Sequence, residues 1–247
     1  MNSCHQEVNG SLFLGEFIVT LRRIVYNARS FNSIRGYGVQ VKFWGVRGSI
    51  PSGSPETAGV GGNTTCVEIR CGDELIIIDT GTGVRNLGMS LMKEMPVKGT
   101  ILFSHVHWDH IMGFPFFVPA YIPGNVIRIH GCHETMEEAL RKQQSDPCFP
   151  VHFDAMGAEI EFVKLDPGQT YNVGDVSVRP LLQPHHGDSY GYRFETDGKT
   201  AVYSTDGEHK LESLEETEDF VEFLRDADIV IFDAMYSMAE MITMKED

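Results

Sequence analysis

The run Ser104-His105-Val106-His107-Trp108-Asp109-His110 places three imidazoles and a carboxylate side by side, in a chain that holds ten histidines. It follows directly on the apolar stretch Ile101-Leu102-Phe103. In extended backbone, residues i and i+2 face the same side, so His105 and His107 can converge on one point beyond the end of a strand. Asp109 and His110 fall where the chain turns and can reach a second point beside the first. Imidazoles with a carboxylate suit zinc, iron or manganese. One segment does not complete a coordination sphere, and two later places offer further ligands. Pro184-His185-His186-Gly187 follows a strand expected over 176–182, and Ser204-Thr205-Asp206-Gly207 follows one expected over 201–204. Both lie at strand ends next to a glycine, where site-bearing loops tend to be. Together the three segments predict a dinuclear metal site.

The elements that must carry these residues are short strands. Patterning predicts strands over 39–46, 64–70, 74–79, 100–103, 126–130, 159–163, 176–182, 190–195, 201–204 and 229–232, with 64–70 and 74–79 paired as a hairpin around Cys71-Gly72-Asp73. Helical spacing appears over 84–94, 135–144 and 211–225. Strands in runs with a few helices between them predict an α/β fold of two packed sheets with helices outside. Residues 1–38 read as an N-terminal extension: apolar residues at 14, 17, 18, 21, 24 and 25 predict one amphipathic helix, followed by a polar linker. The domain proper is expected over 39–247.

Composition narrows the function classes. With 247 residues and 42% hydrophobic side chains, one substantial core is expected. Twenty Lys and Arg against thirty-five Asp and Glu give a net charge of −15, which argues against a stable nucleic-acid partner or an anionic membrane surface. The five cysteines form no C-x-x-C pair, so neither a disulfide framework nor a thiolate zinc ribbon is expected. No apolar run approaches the roughly 20 residues that span a bilayer, and the first fifteen residues lack the basic start of a signal peptide. These features predict a cytoplasmic protein with no membrane contact.

The pattern H-x-H-x-D-H after a strand, then a later His, then an Asp about twenty residues on, resembles the metallo-β-lactamase superfamily. Phe43-Trp44-Gly45-Val46-Arg47-Gly48-Ser49-Ile50-Pro51, Gly61-Gly62-Asn63-Thr64-Thr65, Ile78-Asp79-Thr80-Gly81-Thr82-Gly83 and Gly191-Tyr192-Arg193 are similar to its branch holding phosphoribosyl 1,2-cyclic phosphate phosphodiesterases, class II cyclic-nucleotide phosphodiesterases and ribonuclease Z. The resemblance covers about residues 41–240 and implies an αββα sandwich, two mixed sheets with helices outside. It implies two divalent metal ions, zinc ahead of manganese or iron. His105, His107 and His185 would bind the first ion, Asp109 and His110 the second, and Asp206 would bridge them. Of the pair His185-His186, His185 is the implied ligand because it stands six residues before Gly191, where the family's ligand falls. The family usually has Pro at the next position, where this chain has His186, so an exchange of roles between His185 and His186 is the alternative. Asp79 matches the family's carboxylate that holds a ligand histidine, with a turn-initiating role as the alternative. Asn63 and Thr64 stand where the family shapes the pocket mouth, with loop capping as their alternative. Family members continue past 229–232 into another strand–helix unit that carries a last histidine. This chain reads as lacking that unit, with its sheet edge left open to aggregation or homodimer formation. His209 would stand in for that histidine only by coincidence.

The resemblance thus implies a metal-dependent phosphodiesterase acting on a small cyclic or nucleotide phosphodiester, with Asp109 orienting the attacking water and accepting its proton. The alternatives are a thioester or lactone hydrolase of the glyoxalase II kind, whose pattern His110-Ile111-Met112-Gly113 also continues, and an inactive truncated binding module. The other histidines, His5, His130, His133, His152 and His209, are expected to be surface or packing residues.

Overall fold

The computed structural model describes the backbone of residues 5–14, 17–27, 33–36, 39–55, 57–59, 61–208 and 214–233, and the side chains from 39 onward except 214–217. His209 and the segment 234–247 lie outside the described residues. In chain order the elements are β1 (His5–Leu14), β2 (Phe17–Asn27), β3 (Ser33–Gly36), β4 (Val39–Gly45), β5 (Cys66–Cys71), β6 (Glu74–Ile78), α1 (Gly83–Leu91), β7 (Lys98–Phe103), the single turn α2 (Trp108–Ile111), β8 (Val126–Gly131), α3 (Met136–Gln143), β9 (Glu159–Lys164), β10 (Tyr171–Val173), β11 (Val176–Gln183), β12 (Ser189–Thr196), β13 (Lys199–Ser204), α4 (Leu214–Leu224) and β14 (Ile229–Asp233).

Two mixed leaves face each other. In the first, β4, β5 and β6 are antiparallel neighbours and β6 to β9 run parallel. In the second, β10 to β13 are antiparallel and β14 joins β13 in parallel. The core between the leaves takes Val41, Phe43, Val67, Ile69, Ile76, Ile78 and Leu102 from one side, and Val176, Val178, Tyr192, Phe194, Tyr203 and Ile231 from the other. β6 reads Leu75-Ile76-Ile77-Ile78 without a polar break because it is buried on both faces: Ile76 and Ile78 point between the leaves, while Leu75 and Ile77 point outward under helices. There α1 lays down Val84, Leu87 and Leu91, three and four residues apart, and α3 adds Met136 and Leu140. On the far side α4 sets Phe223 against the outer face of β12, where a Cβ at Gly191 would stand 3.1 Å from its ring. The result is two packed sheets with helices outside, as the strand pattern predicts, in the αββα order that the resemblance implies.

The N-terminal stretch differs from the expectation. Instead of one helix over 14–25, the backbone forms β1 and β2, paired antiparallel from His5↔Asn27 to Leu14↔Phe17. Its composition explains this: Ile18, Val19, Thr20, Ile24, Val25 and Tyr26 are β-branched or aromatic, and an available ladder partner outweighs the helical spacing. That partner is β14, along which β2 runs antiparallel from Ile229↔Leu21 to Asp233↔Phe17. β3 then pairs with β4, so hydrogen bonding runs unbroken between the leaves, a fourteen-stranded sheet among the described residues in which thirteen strands form one path and β1 is a side branch on β2. The edge of β14 expected to stand open is therefore covered by β2, and strands β1 to β3 join the sandwich rather than standing apart from it.

One buried group makes stability depend on acidity. His130 of β8 lies in the pairing row Leu102–His130–Val163, at the layer between the leaves, and neither ring nitrogen has a hydrogen-bond partner among the described residues. Burial lowers its pKa to about 4 against the ordinary 6.5, Glu161 opposing and Arg128 reinforcing the shift. The unfolded chain then binds a proton that the folded chain refuses, so stability is complete above about pH 6.5 and is lost as pH falls towards 4. Between pH 7 and pH 5 the unaltered chain should lose about 2 kcal/mol more than a His130→Leu variant. Urea unfolding midpoints at the two pH values measure this, and equal losses in both chains would contradict it.

Candidate metal centre

Four strand ends meet at one rim of the sandwich. Asp79 follows β6, Ser104 and His105 follow β7, His185 follows β11 and Asp206 follows β13. Asp79 and Asp206 turn the chain in the left-handed region, at φ 58° and 50°, which Asp tolerates better than most residues. The turn after β6 is pressed against the turn of α2: Thr80 N donates to His110 O at 2.7 Å, and Gly113 N donates to Thr80 O at 2.8 Å. A Cβ at Gly81 would come within 2.3 Å of Asp109 O, and one at Gly113 within 2.1 Å of Gly81 O, so only glycine permits this approach. The second leaf is tied to the same rim by Tyr190 N, which donates to Ser104 O at 2.9 Å, and by Tyr192 OH, which donates to Phe103 O at 2.6 Å.

Two groups of ligand atoms converge there. His105 Nε2 lies 2.9 Å from His107 Nδ1, and His185 Nε2 lies 3.3 Å from the same atom. Ligands on a tetrahedral ion at about 2.0–2.1 Å stand about 3.3 Å apart, so these three imidazoles are spaced to share one. The second group is His105, His110 and Asp206, with His110 Nε2 at 3.2 Å from Asp206 Oδ2. His105 belongs to both groups, which places the two centres next to each other. The donor set, imidazole nitrogens with carboxylate oxygens at these spacings, fits divalent metal.

The electrostatics of the two groups differ. Burial, then the neighbouring His110, hold His105 far below the usual imidazole range; burial and His185 lower His107 as well. Both are therefore neutral at pH 7, the state in which imidazole binds metal. His110 is the opposite case. Burial opposes its charge, but Asp79 on Nδ1 and Asp206 on Nε2 outweigh burial and raise its pKa to about 10. Burial likewise opposes charge on Asp206, and the hydrogen bond from His110 overcomes it, holding the carboxyl below its usual range. With both nitrogens protonated, His110 donates Nδ1–H to Asp79 and Nε2–H to Asp206.

The other expected residues fall as follows. Asp109 reaches the rim: its Oδ2 lies 3.6 Å from His110 Nε2 and accepts Ser49 N at 2.7 Å. Asp79 is wholly buried and accepts His110 Nδ1 at 2.8 Å, the histidine-holding arrangement. Thr64 exchanges hydrogen bonds with Thr82, N to Oγ1 in each direction, and Asn63 Oδ1 accepts Thr82 Oγ1. These are loop-capping contacts. Thr65, not its two predecessors, lines the small cavity beside His110 and Asp206, together with Arg47, Gly48 and Thr205. His186 is exposed. Four contacts went unread in the sequence: Ser49 on Asp109, Thr205 Oγ1 on Asp206 Oδ2 at 2.7 Å, Tyr203 OH on Asp79, and His133 Nε2 on the carbonyls of Gly187 and Asp188 at 3.1 and 3.2 Å. Ser49 and Thr205 lie inside quoted motifs; Tyr203 and His133 carry no local signal.

Comparison with known proteins bears on this centre. A family model described as a beta-lactamase superfamily domain matches residues 75–246. A ribonuclease Z of Thermoplasma acidophilum is 23% identical over 163 residues, 64% of this chain and 48% of that one. A ribonuclease Z of Staphylococcus haemolyticus is 24% identical over 165 residues, 64% of this chain and 50% of that one. The chain thus spans about half the length of the curated relatives it matches. Among solved structures, the metallo-beta-lactamase fold protein YhfI of Bacillus subtilis superposes with a TM-score of 0.55 at 19% identity, over 77% of this chain and 69% of that one, a likeness of fold.

The contrast between the two groups sets a pH signature. His105 and His107 have no proton to lose near neutrality, whereas His110 must lose one before its Nε2 can bind an ion. Zinc titration of the metal-free chain at pH 7 should release about one proton with the second equivalent, and affinity for that ion should rise about tenfold per pH unit up to about pH 10. Calorimetry in buffers of different ionisation enthalpy measures the proton count. A second ion whose affinity is flat between pH 6 and 9 would contradict the assignment of His110.

Proposed function

The chain belongs to the beta-lactamase superfamily, and on that premise we propose that it is a metal-dependent hydrolase of phosphodiester bonds. The observation that carries the reading is the pair of ligand groups joined at His105. On this reading His105, His107 and His185 would hold a first divalent ion, and His110, Asp206 and the nearby Asp109 would hold a second. Zinc is favoured by four imidazoles, ahead of manganese or iron. Divalent ions held there would supply a nucleophile at neutral pH and would offset charge on the phosphoryl oxygens.

The chain's own residues do the rest. Asp109, anchored by Ser49 N, orients the attacking water and takes its proton. The hydrogen bond from Thr205 Oγ1 aims the Asp206 carboxylate. Asp79, behind His110, keeps that imidazole turned towards the rim. The choice of phosphodiester is supported by the relatives named ribonuclease Z and ribonuclease BN. A small cyclic or nucleotide phosphodiester is favoured over long RNA by the net charge of −15, since a polyanion is held by basic surface.

Purified chain loaded with zinc or manganese should hydrolyse a chromogenic phosphodiester and a 2′,3′-cyclic nucleotide. His105→Ala, which removes the ligand common to both groups, should lower kcat/KM by at least about 1000-fold, the scale on which loss of the nucleophile-generating metal acts. Hydrolysis of an acyl thioester alone would overturn the phosphodiesterase reading. Cleavage of a 3′-extended RNA in preference to small diesters would overturn the choice of substrate.

A further inference from the structure

Ser104 has no place in the ligand groups, yet its side chain touches both. It is fully buried, and its Oγ lies 2.8 Å from Asp79 Oδ2, 3.1 Å from His105 Nδ1 and 3.2 Å from His110 Nδ1. A hydroxyl has one hydrogen to give, and the ionised carboxylate can only accept. Asp79 Oδ2 is the closest of the three, so the Ser104 hydroxyl hydrogen goes there. The Oγ lone pairs then face the two imidazoles as acceptors. His110 Nδ1 has Asp79 Oδ2 at 2.8 Å as a second acceptor. The hydrogen-bonding partner of His105 Nδ1 is Ser104 Oγ. Its Nδ1 must therefore carry hydrogen, which leaves the lone pair on Nε2, the atom that faces His107.

We infer that Ser104 is a positioning residue that selects the Nδ1–H tautomer of His105 and, through Asp79, locks the imidazoles of both ligand groups from behind at once. Two features make the position suited to this. Ser104 N donates to Asp79 Oδ1 at 2.8 Å, so the residue is clamped to the carboxylate through backbone and side chain together. Ser104 O is bound by Tyr190 N of the second leaf, so it cannot shift without opening the sandwich. This inference rests on the metal reading of the centre and is independent of the substrate.

The tautomer can be read without metal or substrate. Long-range proton–nitrogen correlation spectra of the metal-free chain, with His105 identified by its loss in His105→Ala, should show His105 protonated at Nδ1. In Ser104→Ala the His105 signal should move to Nε2–H or to a mixture, while Ser104→Thr, which keeps the hydroxyl, should retain Nδ1–H. Zinc competition with a chelating dye should show affinity weakened about 10- to 100-fold in Ser104→Ala and close to normal in Ser104→Thr. An unchanged His105 tautomer in Ser104→Ala, or unchanged zinc affinity, overturns the inference. Failure of the unaltered chain to bind zinc would defeat the metal reading and the affinity half of the inference with it, whereas a failure confined to phosphodiester hydrolysis would defeat only the proposed function.

Discussion

A carboxylate buried between two β-leaves is expensive unless every lone pair it exposes is answered, and Asp79 is such a group. Its Oδ1 accepts Ser104 N, and its Oδ2 accepts Ser104 Oγ, His110 Nδ1 and, at 3.3 Å, Tyr203 OH. These donors come from the end of β7, from the turn α2 and from β13 of the opposite leaf. The carboxylate is satisfied only when the leaves are packed and the α2 turn is seated. Folding of the sandwich and construction of the rim are therefore one event, and loss of any single donor would leave the remainder paying a desolvation penalty.

The same carboxylate organises charge. With Asp206 it encloses His110 between two negative groups, so this buried imidazole is held positive when no cation is near. The chain as a whole is acidic, yet the rim concentrates imidazoles, four of them drawn from two segments, and a cation there would replace a proton rather than add to an existing excess of positive charge. Backbone shape makes this possible: Gly81 and Gly113 let two turns touch where any side chain would collide, which brings Asp79 and His110 into hydrogen-bonding range.

Much of this was legible in the order of residues. The strand Lys98–Phe103 with histidines at its end, the hairpin of β5 and β6, the helices α1 and α3, and the strands β11 and β13 that end at His185 and Asp206 all lie near where the patterning places them. Each rests on a period of two or 3.6 residues, or on a turn residue, both of which are local properties. The N-terminal stretch failed for the complementary reason. Its apolar spacing suited a helix, but β14 offered an open edge and β-branched side chains accept one readily. Of the two roles open to Asn63 and Thr64, pocket mouth or loop cap, their contacts with Thr82 are of the capping kind, while Thr65 lines the cavity.

The sequence by itself determined which chemistry the rim can support: imidazoles alternating along an extended strand end, a carboxylate and a further imidazole at the turn, and one ligand each at two more strand ends. Only the tertiary structure decided how these ligands are held. His185 comes to His107 across 78 positions of the chain, and Tyr203 reaches Asp79 across 124. Ser104, next to a ligand in sequence, acquires its role only because Asp79 and His110 arrive on its other sides. Short-range pattern specifies what each strand end presents. Which ends meet, and which hydrogen each imidazole keeps, follows from the packing of two leaves around a carboxylate that cannot be left unsatisfied.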